Sequence, residues 1–256
     1  MNFPHFSDKH KFPGVLKAED MISSRGKNGK EELHGATAAI LCFQSSLMKY
    51  LSVKFHGKKT SAFWGKVVVL KKTDNRIAAA QTFGLGAPAV AVMLEELAAS
   101  GVERCIAIGV AGTLQDFITT GELIIPTTAI RDEGTSYHYH SADMRASPSE
   151  ELSRRLISAL DHRNEQYVSG PVWTTDAPYR ETTREITYYQ HEGLLAVDME
   201  TSAFFCACSA MKIRAACALV AADSLAGGVW HHHNDHRKIE SSLRRLANIA
   251  VETLST

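Results

Sequence analysis

The chain alternates short, unbroken apolar runs with longer segments in which apolar residues recur every three or four positions. Short apolar runs bounded by turn residues are typical of buried strands, and the longer periodic segments are typical of helices. The predicted strands are 38–43, 66–70, 76–82, 105–110, 122–131, 168–174, 194–199 and 215–222. The predicted helices are 44–53, 84–99, 149–160, 182–190, 200–211 and 237–254. This alternation predicts an α/β fold, a single domain with a central, largely parallel or mixed twisted sheet flanked by helices.

Local motifs refine this pattern. Residues 71–75 (KKTDN) separate two apolar runs and predict a β-hairpin, because Asp and Asn favour tight turns. Gly112 follows the run 105–110 and predicts a turn. The first 35 residues are mostly polar, so we expect an N-terminal extension over 1–35 and one domain over 36–256.

The composition excludes several classes of protein. The 256 residues include 28 Lys plus Arg and 28 Asp plus Glu, a formal net charge of zero. Binding to a nucleic acid backbone normally requires a basic excess, so nucleic acid is not expected as a partner. No apolar run reaches the roughly 18 residues needed to span a bilayer, so no membrane partner is expected. The N-terminus lacks the basic-then-apolar pattern of a secretory signal.

The cysteines and histidines give no sign of a metal site or of a cofactor. Five cysteines lie in apolar surroundings without metal-ligand spacing, which predicts free thiols in a cytoplasmic protein. The histidine run 231–233 follows Trp230 and has no acidic or cysteine partner at metal spacing. We therefore expect this segment to form a lid or a subunit contact.

Three predicted strand ends carry groups that packing does not require. They are the small-residue turn at 109–112 (GVAG), the acidic junction at 198–200 (DME) and Asp223, which follows the apolar run AACALVAA. A carboxylate at the end of a buried strand is costly unless it is hydrogen-bonded or functional. The acidic side chains also suit helix capping or turns, and both interpretations stay open at this point.

Five blocks in this order resemble the nucleoside phosphorylase family, which includes uridine phosphorylase and the hexameric purine nucleoside phosphorylases. They are GLGAPAVAVMLEELAASGVERCIAIGVAGTLQ, GELIIPTTAIRDEGTSYHY, WTTDAPYRET, AVDMETSA and AADS. The fourth is similar to the family's VEMEtaA signature, with Asp198 in place of Glu. The resemblance runs from about residue 36 to the C-terminus and implies a nucleoside phosphorylase-like fold.

The resemblance also implies roles for individual residues. Met199 and Glu200 would hold the ribose, because an ionised carboxylate accepts hydrogen bonds from sugar hydroxyls strongly. Asp223 would be the general acid that protonates the leaving base. The expected base-binding residues are Ala111, Gly112, Tyr179 and Arg180, with Glu181 beside them.

The phosphate site is where the sequence departs from the family. The family's first strand ends in a PGDP–R pattern, in which a glycine and an arginine grip phosphate, and Phe43 and Leu47 replace these two residues. A second arginine and a hydroxyl are replaced by Ala107 and Val110. A charge-assisted hydrogen bond is worth about 1.5–3 kcal/mol, so without these groups we expect phosphate to bind weakly if at all.

The leading expectation is an enzyme that binds a nucleoside and acts on its N-glycosidic bond, a pentosyltransferase of this family with an eroded phosphate site. The alternatives are a nucleosidase or ribosyl transferase that does not use phosphate, and a nucleoside-binding protein without catalysis. The resemblance implies a homo-oligomer, either a dimer or a hexamer. Asp223 favours a purine base, whereas the WTTDAPYRET block resembles uridine phosphorylase-like members, so the base stays open.

Overall fold

The computed structural model describes residues 4–6, 8–232 and 235–255, and His233 of the histidine run lies outside them. The strands are β1 (Ala38–Cys42), β2 (Gly57–Lys59), β3 (Lys66–Leu70), β4 (Ile77–Gln81), β5 (Arg104–Thr113), β6 (Leu123–Asp132), β7 (Tyr167–Thr175), β8 (Ala196–Asp198), β9 (Arg214–Ser224) and β10 (His231–His232). The helices are α1 (Ala18–Ser24), α2 (Gly29–Glu32), α3 (Ser45–Lys54), α4 (Ala87–Ala99), α5 (Glu150–His162), α6 (Thr183–His191), α7 (Thr201–Ala210) and α8 (His236–Ser255). The predicted α/β fold is confirmed.

The strands form one mixed sheet in the order β10-β9-β6-β7-β8-β5-β1-β4-β3-β2. An additional pairing between β9 and β5 closes β5, β8, β7, β6 and β9 into a ring of strands. Strand β5 pairs in parallel with both β1 and β9. The carboxyl ends of these three strands therefore meet at one edge, where ligand sites of open α/β sheets usually lie.

Two layers of helices cover the sheet. Helices α4 and α7 pack on one face, and α3, α5 and α8 pack on the other. Alternate residues of β1 enter opposite layers, with Leu41 in the first and Ile40 in the second, as the two-residue period of a strand requires. Both faces are thus buried, which explains why the central strands read as unbroken apolar runs.

Local structure agrees with most of the motifs. The hairpin predicted around KKTDN is confirmed, because β3 and β4 pair antiparallel on either side of it. The turn predicted at Gly112 is wrong: β5 continues through Gly112 to Thr113, with an irregular register to β9 between Ala111 and Gly112. The absence of a side chain on Gly112 serves close packing there, since an added Cβ would lie 2.8 Å from Leu225 Cδ1.

The segment before residue 36 also contacts the sheet layers. Ile22 and Leu33 are buried in the layer that contains α4. Arg25 forms an ion pair of 2.8 Å with Glu96, a side chain of α4 that is only 2% exposed. The division between an extension over 1–35 and a domain over 36–256 stays a prediction.

The remaining sequence predictions about chemistry concern thiols and membrane segments. All five cysteines are buried and unpaired, as predicted. Burial raises the pKa of the Cys42 thiol to about 12, which makes it a poor nucleophile.

Among the helices of the described ranges, none combines the length and the apolar character that crossing a bilayer requires.

Candidate active site

A cavity of about 850 Å³ opens where β1, β5 and β9 end. It is lined by the residues that follow these strands, by the β8–α7 junction, by the turn before α6 and by one face of α8. Eight residues predicted for the site line it: Phe43, Val110, Ala111, Gly112, Tyr179, Met199, Glu200 and Asp223. Residues from distant segments of the sequence therefore meet in one chamber.

Three other predicted residues do not line the cavity. Arg180 is exposed on the turn next to Tyr179. Leu47 and Ala107 are buried in the two apolar layers on opposite faces of the sheet. The positions that carry arginines in the resembled family are thus filled here by core side chains.

The β8–α7 junction holds the two acidic side chains differently. Asp198 Oδ2 accepts a hydrogen bond of 2.9 Å from the backbone N–H of Thr201, and its Oδ1 accepts one of 2.7 Å from the hydroxyl of Thr174. Asp198 therefore caps α7. Of the two interpretations that the sequence left open for this residue, helix capping accounts for these hydrogen bonds. Burial raises the pKa of Asp198, and these hydrogen bonds oppose the rise.

Glu200, in contrast, reaches across to another element. Its Oε1 accepts a hydrogen bond of 2.7 Å from the backbone N–H of Gly86, just before α4. Burial and then the charge of Asp198 raise the pKa of Glu200 to about 7. Hydrogen bonds donated by ligand hydroxyls favour the ionised form of such a carboxyl.

Asp223 lies near the end of β9, in register with Gly112 of β5 and His232 of β10. The indole N–H of Trp230 donates a hydrogen bond of 2.7 Å to its Oδ2. The Trp230 ring also packs against the His232 imidazole, with 5.4 Å between centroids. The segment expected to form a lid or a subunit contact thus borders the cavity through Trp230 and His232.

Glu181 faces the same end of the cavity as Asp223. Its carboxylate has no hydrogen-bond or ion-pair partner among the described residues. Burial, then the charge of Asp223, then that of Glu185 raise the pKa of Glu181 to about 7. A carboxyl with a raised pKa beside a second carboxyl is a typical feature of acid–base sites.

The rest of the cavity lining is apolar or acidic. Phe43 packs against the backbone of Gly109, where an added Cβ would lie 2.9 Å from the Phe43 ring. Five acidic side chains line the cavity, together with two histidines and, within the described ranges, no lysine or arginine. The acidic residues are Glu181, Asp198, Glu200, Asp223 and Glu240. In this part of the chain the cavity therefore offers no guanidinium or ammonium to an anionic ligand.

Sequence reasoning missed several contributors to the cavity. Gln44, Leu85, His236 and Glu240 line it, and nothing in their local sequence context singles them out. The hydrogen bond between Trp230 and Asp223 depends on the fold of the connection after β9, which no local pattern predicts. In the part of the chain that the structure describes, no group of three or more His, Cys, Asp or Glu side chains is arranged to hold a metal ion.

Comparisons with known proteins agree with this architecture. The family model described as "Phosphorylase superfamily" matches residues 37–255. A guanosine phosphorylase of Halorubrum lacusprofundi is 32% identical over 132 residues, which cover 52% of this chain and 55% of that protein. A uridine phosphorylase of Haemophilus influenzae is 30% identical over 146 residues, covering 52% of this chain and 58% of that protein, so the chain spans little more than half the length of these relatives.

Among solved structures, a uridine phosphorylase from Vibrio fischeri ES114 superposes with a TM-score of 0.75 at 28% identity. The superposition covers 87% of this chain and 93% of that one. An AMP nucleosidase from Bacteroides thetaiotaomicron shares the fold with a TM-score of 0.73 at 19% identity, over 92% of this chain and 96% of that one. The family match extends over most of the chain, and the chain belongs to the phosphorylase superfamily.

Proposed function

We propose that the protein is an enzyme that cleaves the N-glycosidic bond of a nucleoside. The observation that carries this proposal is the convergence of Glu200, Met199 and Asp223 on one cavity of about 850 Å³. Membership of the phosphorylase superfamily supports it, as do relatives named guanosine phosphorylase and uridine phosphorylase. The cavity is large enough for a nucleoside, since ligand pockets typically measure about 300–1,000 Å³.

The ribose is assigned to the end of the cavity formed by Met199 and Glu200. The hydrogen bond from Gly86 fixes the direction of the Glu200 carboxylate, so the group is oriented before a ligand arrives. Adjacent sugar hydroxyls donate hydrogen bonds to this carboxylate. Hydrogen bonds from the sugar favour the ionised form of Glu200, and its negative charge then stabilises the positive charge that develops on the ribosyl ring as the bond breaks.

The base is assigned to the end formed by Ala111, Gly112, Tyr179 and Asp223. Protonation of a ring nitrogen from this end makes the base a neutral leaving group. The assignment of Asp223 as the acid and of Arg180 as a base contact stays a prediction. The choice between purine and pyrimidine bases also stays open.

The second substrate is proposed to be water, with phosphate contributing little. Phe43 and Val110 line the cavity where the family places its phosphate groups, and no lysine or arginine of the described chain lines it. Inorganic phosphate at neutral pH is an anion, and an acidic lining without a described lysine or arginine disfavours its binding. Water carries no charge and meets no such barrier.

We further propose that the chain forms a homo-oligomer and acts in the cytoplasm. Exposed apolar side chains support an interface, among them Trp64 and Phe83, whose rings lie 6.0 Å apart. The five unpaired, buried cysteines support a reducing compartment.

The test is chromatographic analysis of the free base released from a panel of purine and pyrimidine nucleosides, with and without phosphate. The proposal predicts base release from at least one nucleoside in phosphate-free buffer, and its loss in Asp223→Asn. Binding of nucleosides without release of base, measured by titration calorimetry in both buffers, would identify a binding protein instead.

A further inference from the structure

Two carboxylates, Glu181 and Asp223, share the base end of the cavity, but their surroundings differ. Asp223 accepts the indole N–H of Trp230 at 2.7 Å, a contact that stabilises an ionised carboxylate. Glu181 is half-buried and has no such donor among the described residues. Since no lysine or arginine of the described chain lines the cavity, no guanidinium or ammonium group there compensates two negative charges at once.

The charged groups around Glu181 also disfavour its ionisation. Asp223 repels it from β9, and Glu185 repels it from the first turn of α6. Glu185 forms a capping box with Thr182, which holds its carboxylate at the start of α6, four residues after Glu181. His232 lines the same cavity, and Arg180 precedes Glu181 in the chain but is exposed.

The charges of the two carboxylates interact, so that ionisation of one disfavours ionisation of the other. Burial and the charge of Asp223 together raise the pKa of Glu181 to about 7. A proton held on Glu181 is available for transfer to the base at neutral pH.

We propose that Glu181 holds the proton that is delivered to the leaving base, and that ionised Asp223, fixed by Trp230, keeps the proton there. This rests on the proposed function, since it assigns the acid of that reaction. It makes Glu181 a catalytic residue and Asp223 its positioning partner, whereas the resemblance implied that Asp223 is the acid.

In this step the bond between C1′ and the base nitrogen breaks, and its electron pair goes to the base. The Glu181 proton bonds to a ring nitrogen of the base, which leaves as a neutral molecule. A water oxygen bonds to C1′ and loses one proton to solvent. Glu181 takes up one proton from solvent before the next turnover, so atoms and charge balance over the cycle.

The experiment is the pH dependence of kcat/KM for the nucleoside that the wild type cleaves fastest, compared among wild type, Glu181→Gln and Asp223→Asn. Glu192→Gln, a surface change just after α6, serves as the matched control. Urea unfolding first establishes that each variant is folded.

The wild type is expected to lose activity above about pH 7, about tenfold per pH unit. Glu181→Gln is expected to be at least about 100-fold slower at pH 7, and its falling limb is expected to move down by at least about one pH unit. Glu192→Gln is expected to keep the wild-type rate at pH 7 and the wild-type position of the falling limb. If Glu181→Gln does not fold, the pH dependence of wild-type kcat/KM tests the proposal by itself. A wild-type kcat/KM that already falls below about pH 5 overturns the proposal.

Failure of the two proposals is distinguishable. If the wild type releases base from no nucleoside, the proposed function itself is wrong. If the wild type is active and Glu181→Gln keeps at least about a third of its rate at pH 7 with an unmoved falling limb, only the assignment of the proton to Glu181 is overturned.

Discussion

The carboxylate of Glu200 accepts a hydrogen bond of 2.7 Å from the backbone N–H of Gly86. This bond joins the β8–α7 junction to the loop before α4, two segments more than a hundred residues apart in the sequence. Gly86 has a φ of +86°, a left-handed conformation that glycine adopts without strain. The loop thus aims a backbone donor at the carboxylate, which orients Glu200 at the sugar end of the cavity.

Glu200→Gln tests this orientation. The amide keeps the size of the side chain but removes the charge that strengthens hydrogen bonds from the sugar. We expect kcat/KM to fall about 10- to 100-fold, the cost of weakening one or two charge-assisted bonds. A matched 2′-deoxynucleoside is expected to show a smaller fall, because it already lacks one hydroxyl. Equal losses for the ribose and deoxyribose substrates would contradict the assignment.

Trp230→Phe removes the N–H that Asp223 accepts and keeps an aromatic ring in place. Because this bond involves a carboxylate but is exposed to water, we expect kcat/KM to fall about 5- to 20-fold with little change in the free energy of unfolding. Trp64→Phe, another exposed tryptophan that does not line the cavity, is the control. Identical kinetics of the two variants would show that the contact with Asp223 has no role.

Leu47→Arg tests whether the phosphate-binding arginine of the resembled family fits this chain. Leu47 is fully buried, with an exposed fraction of 0%, and its surroundings are apolar. An unpaired charge there is expected to lower the free energy of unfolding by about 3–5 kcal/mol or more in urea titrations. Leu47→Met is expected to cost less than about 1.5 kcal/mol. A stable Leu47→Arg variant that binds phosphate would mean that this region accommodates the anion after all.

The pH dependence of stability gives a readout of Glu181 that does not need substrate. Folding raises its pKa from an ordinary 4.5 to about 7, so Glu181 contributes stability at low pH that is lost as the pH rises from about 4.5 to about 7. Glu181→Gln removes this loss. Its Tm relative to the wild type is therefore expected to increase over that range and to stay constant above it.

Glu192→Gln again serves as the control, with a Tm difference that does not follow this trend. A difference between Glu181→Gln and the wild type that is independent of pH would show that Glu181 titrates in its ordinary range in the folded protein.

The sequence predicted most of the fold because its strands are buried on both faces and its helices carry regular apolar stripes. The resemblance to the family also implied that Met199, Glu200 and Asp223 share one site, although β8, which precedes the first two, pairs antiparallel with β5. The sequence prediction failed at Gly112, where a strand continues through a glycine because Leu225 packs against it. Neither the Trp230–Asp223 bond nor the isolation of Glu181 was predictable, because both depend on how distant loops approach each other.

The identity of the sugar product distinguishes hydrolysis from phosphorolysis. Mass spectrometry of a reaction with the best nucleoside, run with and without about 10-fold excess phosphate, separates free ribose from ribose 1-phosphate. We predict free ribose in both reactions, with rates that differ by less than about tenfold, because a cavity lined by five acidic side chains and no described lysine or arginine disfavours an anion. Ribose 1-phosphate as the main product, with no turnover when phosphate is omitted, would contradict the proposal that water is the second substrate.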